Sequence, residues 1–170
     1  MKTIPLTQSK VALVDDTDYD FLSKYNWCAA KTIGRSYYAV RGSLISDLRQ
    51  GCIHMHRIIL NAPKGVEVDH RDGNSLNNQR SNLRLCTHGE NQRNQGLHHN
   101  NTTGFKGVRL DRRAIQNPYN ARIQINNKEI HIGCYKTAEK AARAYDTTAL
   151  KYHGDYRVTN EMLGLLPGRK

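Results

Sequence analysis

Apolar positions along the chain recur in short runs, and their period switches repeatedly between two and about four. Ile4-Pro5-Leu6 and Val11-Ala12-Leu13-Val14 predict two strands joined by a turn at Thr7-Gln8-Ser9-Lys10. Asp15-Asp16-Thr17 opens a short helix in which Thr17 is the cap, Asp18 and Asp20 suit the positive end of the helix dipole, and Phe21, Leu22 and Tyr25 form the apolar face. Trp27-Cys28-Ala29-Ala30 and Tyr37-Tyr38-Ala39-Val40 predict a strand pair across a turn at Ile33-Gly34-Arg35. From Cys52 to Leu60 the alternation turns into an apolar run, a strand entering a short helix, with His54 and His56 on one strand face. A turn at residues 61–65 then delivers the chain into Val66.

Two further apolar runs, Val66 to His70 and Leu83 to Cys86, flank a loop rich in Asn, Asp and Gly. Asn and Asp side chains hydrogen-bond their own backbone and can lock such a loop, and Asp72 is read as a turn cap in it. Thr87-His88-Gly89-Glu90 has the form of a capping box, so a helix starts at Thr87 and carries Asn91 and Asn94 on one face. The local plan is strand, loop, strand, helix. Residues 96–104 lack an apolar period and carry glycine at both ends, which makes them a linker between residues 1–95 and 105–165. The adjacent His98 and His99 in it read as solvated side chains. Beyond it, strands at residues 105–110, 119–125 and 128–133, with a tight turn at Asn126-Asn127, precede a helix capped by Thr137 and running towards Gly154. Ala138, Ala141, Ala142 and Ala149 let that helix lie close against the sheet, leaving the other sheet face basic and exposed. The fold class is therefore α+β.

Charge adds a partner to this picture. The 170 residues carry a formal charge of +11 with a pI near 9.7, which points to a polyanion, with nucleic acid first among the candidates. The chain has no apolar run of membrane-spanning length and no signal-peptide pattern at its start. Cys28, Cys52, Cys86 and Cys134 lack a C-x-x-C spacing and sit beside apolar residues, so they read as free, buried and without zinc, in a reducing compartment.

The stretch Val66-Glu67-Val68-Asp69-His70-Arg71-Asp72-Gly73-Asn74 with Asn82-Leu83-Arg84 and the capped helix resembles the ββα-metal (HNH) nuclease motif. The resemblance implies Asp69 and Asn91 as metal ligands, His70 as general base and Asn82 as the residue that holds the loop, with Asn94 in reserve on the helix. Asn91 stands where the family's naming His is found, which shifts the expected ion from zinc to one Mg2+ or Mn2+ per site. An imidazole with an ordinary pKa near 6.5 suits the deprotonation of water at pH 7. The step His56-Arg57 is expected beside the site, with Arg57 at a phosphate, and a metal role for His56 is the alternative. Arg35 and Arg41 are secondary candidates for DNA contact, the alternative being a scaffold sheet alone.

The second module resembles the AP2/ERF DNA-binding domain through Gly107-Val108-Arg109, Ala121-Arg122-Ile123, Ile132-Gly133-Cys134-Tyr135, Ala141-Ala142-Arg143-Ala144-Tyr145-Asp146 and His153-Gly154. That resemblance implies a three-stranded sheet in the major groove, with Lys106, Arg109, Arg113, Arg122, Gln124 and His131 as its DNA-binding residues. Together the modules resemble phage-type homing endonucleases. They imply a metal-dependent, site-directed endonuclease acting on double-stranded DNA as a monomer or weak dimer, nicking one strand per active site, without a small-molecule cofactor. A phage-encoded protein of this kind works in the cytoplasm of a bacterial host. Asn91 also motivates an alternative, a sequence-specific DNA-binding regulator with a degenerate HNH motif. A structural zinc module is the third reading.

Overall fold

The structure is a computed structural model that describes residues 1–32, 36–42, 51–126 and 128–167. Its contacts divide the chain into two units, Met1–His88 and Gly89–Lys170. Each combines short helices with antiparallel sheet, as the α+β reading expects.

In the first unit β1 (Lys2–Pro5) pairs with β2 (Val11–Val14), and the alternation buries Ile4, Ala12 and Val14 on one face. Gln8 and Ser9 close the turn at φ of 61° and 54°. The helix α1 (Asp16–Leu22) starts after Asp15 and not after Thr17. Asp15 makes no side-chain capping bond, because its carboxylate accepts from the Arg80 backbone N–H at 2.8 Å and from Gln79 Nε2 at 3.3 Å. Tyr25 lies beyond the helix end, where it stacks edge-on with Phe21 and under the Arg41 guanidinium.

The strands β3 (Cys28–Lys31), β4 (Tyr37–Gly42) and β5 (Cys52–His54) form one sheet in that order. The turn expected at 33–35, with Arg35, lies outside the described residues. Immediately after His54 the chain enters α2 (Met55–Ile59), so His54 and His56 do not share a strand. Leu22, Trp27, Met55, Ile59 and Val68 pack into one core. Full burial of such a side chain contributes about 1.5–3 kcal/mol. Across it lies the hairpin of β6 (Glu67–His70) and β7 (Leu83–Cys86), with Asp69 opposite Arg84 and His70 opposite Leu83. Then α3 (His88–Asn94) begins one residue after Thr87, and the boundary between the units falls inside it.

In the second unit β8 (Val108–Leu110), β9 (Tyr119–Ile125) and β10 (Lys128–Tyr135) are ordered β10-β9-β8. The first strand starts later than its apolar run because Gly107 sits at φ +74°, where a Cβ would come within 2.0 Å of Tyr145 Cδ2. Ala121 and Ile123 point to α4 (Ala138–Tyr152), which Thr137 caps by accepting the Lys140 N–H at 3.3 Å. The small Ala141, Ala142 and Ala149 are fully buried and allow that close approach. Asn160, also fully buried, ties the chain end back: it donates to Asp146 Oδ1 at 2.8 Å and accepts the Lys106 N–H at 2.6 Å. The cysteines are free, but only Cys86 is buried. Cys28, Cys52 and Cys134 are exposed, on strand positions that face away from the cores. Among the described residues no helix is long and apolar enough to cross a membrane.

Candidate active site

The adjacent residues Asp69 and His70 are both buried on β6, and each meets a different set of partners. Asp69 is held by its cross-strand neighbour: Arg84 Nε donates to Asp69 Oδ2 at 2.7 Å inside the unit. His70 packs edge-on against His56, with ring centroids 5.2 Å apart, and against Tyr38 at 6.0 Å. Burial pushes the His70 imidazole below its ordinary pKa, opposed by the Asn78 side chain and by the charges of Asp72 and Asp69. The ring is neutral at pH 7 and able to take a proton.

His56 belongs to the same cluster and not to a phosphate contact. It is buried, its ring lies 5.2 Å from that of His54 and 5.4 Å from Tyr38, and burial pushes its pKa down to about 3, helped by His70, His54 and Arg57. Its Nδ1, like that of His54, has no hydrogen-bond partner among the described residues. Arg57, expected at DNA, is turned inward. Its Nη1 donates to Val66 O at 2.7 Å and its Nη2 to Pro63 O at 2.8 Å and Ala62 O at 3.3 Å, so it staples the turn that leads into β6.

The polar loop between β6 and β7 is fixed on both sides. Asn82 accepts the Asp72 N–H at 3.0 Å and donates to Asp72 Oδ1 at 2.9 Å and Asn77 O at 2.8 Å. Asp72 caps the turn as well, accepting from the Asn74 N–H at 2.8 Å and Asn77 Nδ2 at 2.7 Å. The scaffold takes the rest: Ser75 Oγ donates to Tyr37 O at 2.7 Å, and β2 bonds Leu76 O and the Asn78 N–H through Leu13. This explains how a stretch of loop composition is held in one shape between β6 and β7. Asn91 and Asn94 lie half-buried on α3, within the second unit.

Sequence reasoning missed Tyr38, Asn78 and the Asp69–Arg84 pair. The last was within reach, since alternation counted along both strands sets those residues opposite each other. Tyr38 comes from a remote element and left no local signal, whereas His56 packs beside the site as the His56-Arg57 step suggests.

On the second unit, Arg109, Arg113, Gln124 and His131 are exposed and Arg122 half-exposed. His131 Nε2 lies 3.2 Å from Asn120 Oδ1 and 3.4 Å from Cys134 Sγ. Lys106 departs from the expected set. Its ammonium is largely buried, donates to Arg93 O at 2.7 Å and to Gln95 O, and burial lowers its pKa to about 8. It closes the C-terminal end of α3.

The HNH endonuclease family profile matches residues 61–93, the β6-loop-β7-α3 stretch with its approach. A protein of Acanthamoeba polyphaga mimivirus, "Uncharacterized HNH endonuclease L560", is 32% identical over 157 residues, covering 89% of this chain and 75% of that protein. "Protein 3.8" of Escherichia phage T7 is 48% identical over 46 residues, 27% of this chain and 38% of its own length. No solved structure matches.

HNH nucleases typically act with a divalent metal ion. Among the described residues no group of three or more His, Cys, Asp and Glu side chains could hold one, so these residues form no zinc-type cage. A hard ion of the magnesium kind asks for less: one or two protein oxygen ligands, with water and substrate phosphate completing its shell. The buried Asp69 carboxylate fits that requirement. The motif stretch and the mimivirus relative together give the assignment: the chain belongs to the HNH endonuclease family, and it is a DNA endonuclease.

Proposed function

We propose that the chain is a homing-type, site-directed endonuclease that nicks double-stranded DNA with the help of one Mg2+ or Mn2+ ion. The observation that carries the reading is the neutral, buried His70 beside the Asp69 carboxylate, in the stretch that matches the HNH profile. Asp69 and Asn91 would hold the ion. When bound, it supplies Lewis-acid stabilisation of the departing 3′ oxygen. His70 takes a proton from the attacking water as the new phosphorus–oxygen bond forms and the bond to the 3′ oxygen breaks. Asn82 keeps the polar loop beside the imidazole in place. Arg84 holds Asp69 so that the acid does not rotate out of the site.

The second unit supplies affinity and site choice as an AP2/ERF-like domain, through Arg109, Arg113, Arg122, Gln124 and His131 on the open sheet face. Guanidiniums at phosphates give binding that weakens with salt, and side chains at base edges give selectivity. One active site per chain implies nicking by a monomer, with a weak dimer needed for a double-strand break. The similarity to the T7 phage protein supports a phage-type role in a bacterial cytoplasm.

The test is conversion of supercoiled phage or host-derived DNA to nicked circle. Nicking with magnesium or manganese that stops on chelation and falls about a hundredfold in Asn91→Ala is expected. Nicking that persists in chelator refutes the metal reading. The engagement of Asp69 by Arg84 favours one alternative, a DNA-binding regulator with a degenerate nuclease site. Tight duplex binding with no cleavage under any divalent metal would decide for it.

A further inference from the structure

One carboxylate interrupts the cationic sheet face of the second unit. Glu129 stands opposite Gln124 at the start of β10. Its Oε1 accepts from Arg122 Nη1 at 2.5 Å, and its Oε2 lies 3.3 Å from Arg109 Nη2. Three strands therefore contribute to one exposed cluster: Arg109 from β8, Arg122 from β9 and Glu129 from β10. The Arg122 hydrogen bond holds the Glu129 carboxyl below its usual range, so the acid stays charged. An exposed pair of this kind adds little to stability, and its consequence lies in what the face can bind.

We infer that Glu129 is a specificity-determining residue of the DNA-reading face, which excludes phosphate from its position and accepts a base amino group in the major groove. This rests on the reading of the sheet as the DNA-binding surface. Two consequences of the geometry lead there. First, Glu129 neutralises guanidiniums that would otherwise pair with phosphate, which lowers affinity for DNA of arbitrary sequence. Second, once the arginines turn to the duplex, the carboxylate is left facing it as a pure acceptor. A phosphate or a base acceptor opposite it is repelled, whereas the N4 amino group of cytosine or the N6 amino group of adenine satisfies it. Registers without such an amino group are penalised, and this is how selectivity is gained without added affinity.

The experiment uses the full-length protein, Glu129→Gln and the double variant Arg109→Ala/Arg122→Ala, with a pool of duplexes randomised over their central base pairs. Binding to the unselected pool is followed across salt concentration, and bound duplexes are then selected and sequenced. Glu129→Gln is expected to bind the unselected pool several-fold tighter at moderate salt. The slope of log affinity against log salt should steepen by about 0.9 for each guanidinium released to a phosphate. The parent should enrich cytosine or adenine at one position of the selected duplexes, and Glu129→Gln should lose that preference. If Glu129→Gln matches the parent in pool affinity, salt slope and selected sequences, the assignment of Glu129 is overturned. If the double arginine variant also matches the parent, the sheet is not the DNA-binding surface, and the reading beneath the inference falls with it. Because all three side chains are at least partly exposed, the substitutions leave the packed core untouched.

Discussion

Replacing Arg84 by methionine strips the guanidinium from Asp69 while leaving the acid inside the first unit. The side chains are 8% and 5% exposed, so solvent does not take over the role of the lost partner. Breaking a buried pair from one side costs about 3–5 kcal/mol, because the remaining charge is uncompensated. Removing both charges, as in Asp69→Leu with Arg84→Met, restores most of that loss. The assay is urea unfolding followed by the fluorescence of Trp27, the chain's single tryptophan, which is buried in the core of the same unit. With a urea slope of about 1 kcal/mol/M for a unit of this size, Arg84→Met should lower the midpoint by about 3 M or be unfolded without urea. The double variant should return to within about 1 M of the parent. If Arg84→Met unfolds within about 0.5 M of the parent, Asp69 does not depend on Arg84, and the account of how the acid is held in the site is refuted.

Acid should destabilise the first unit through its histidines. The folded-state pKa of His56 is about 3, well below the ordinary 6.5, so between those values the unfolded chain binds the extra proton and stability rises with pH. Stability is therefore whole above about pH 6.5 and falls on acidification at up to about 1.4 kcal/mol per pH unit from this group. His54 and His70, also lowered, act in the same direction. Trp27-monitored urea midpoints that do not move between pH 7 and 4.5, or a slope that His56→Phe leaves unchanged, would contradict it. In the second unit, Gly107→Ala combines left-handed strain of about 1–2 kcal/mol with a clash into buried Tyr145 that adds about 1–3 kcal/mol. Gly104→Ala, at φ +75° with open space around it, should show the strain alone. Thermal unfolding by circular dichroism compares the two, and equal melting temperatures would refute the packing argument.

Much of the fold was legible because local patterns and tertiary demands agree. The hairpin at β6 and β7, the Thr137 cap and the alanine face of α4 follow from alternation, a capping side chain and residue size alone. Departures occur where a distant partner overrides a local preference. Asp15 displaces Thr17 as the position before α1 because residues 79–80 claim its carboxylate. Lys106 and Arg57 carry charge in sequence like any DNA-contacting residue, yet unsatisfied carbonyls at a helix end and a turn capture them. The exposed cysteines show that apolar neighbours in a strand do not fix which face a residue takes. In the site, Asp69, His70 and Asn82 are marked by the resemblance to the HNH motif and His56 by its step with Arg57, while Tyr38 is not, since only the folded sheet brings it to the imidazole.

The central claim is that His70 is the base of a metal-assisted DNA cleavage. Its most direct test is the rate of plasmid nicking under single-turnover conditions in magnesium, for the parent and for His70→Ala shown by Trp27 fluorescence to be folded. The account predicts a fall of about a hundredfold or more with DNA binding retained. A His70→Ala protein that nicks as fast as the parent would contradict it.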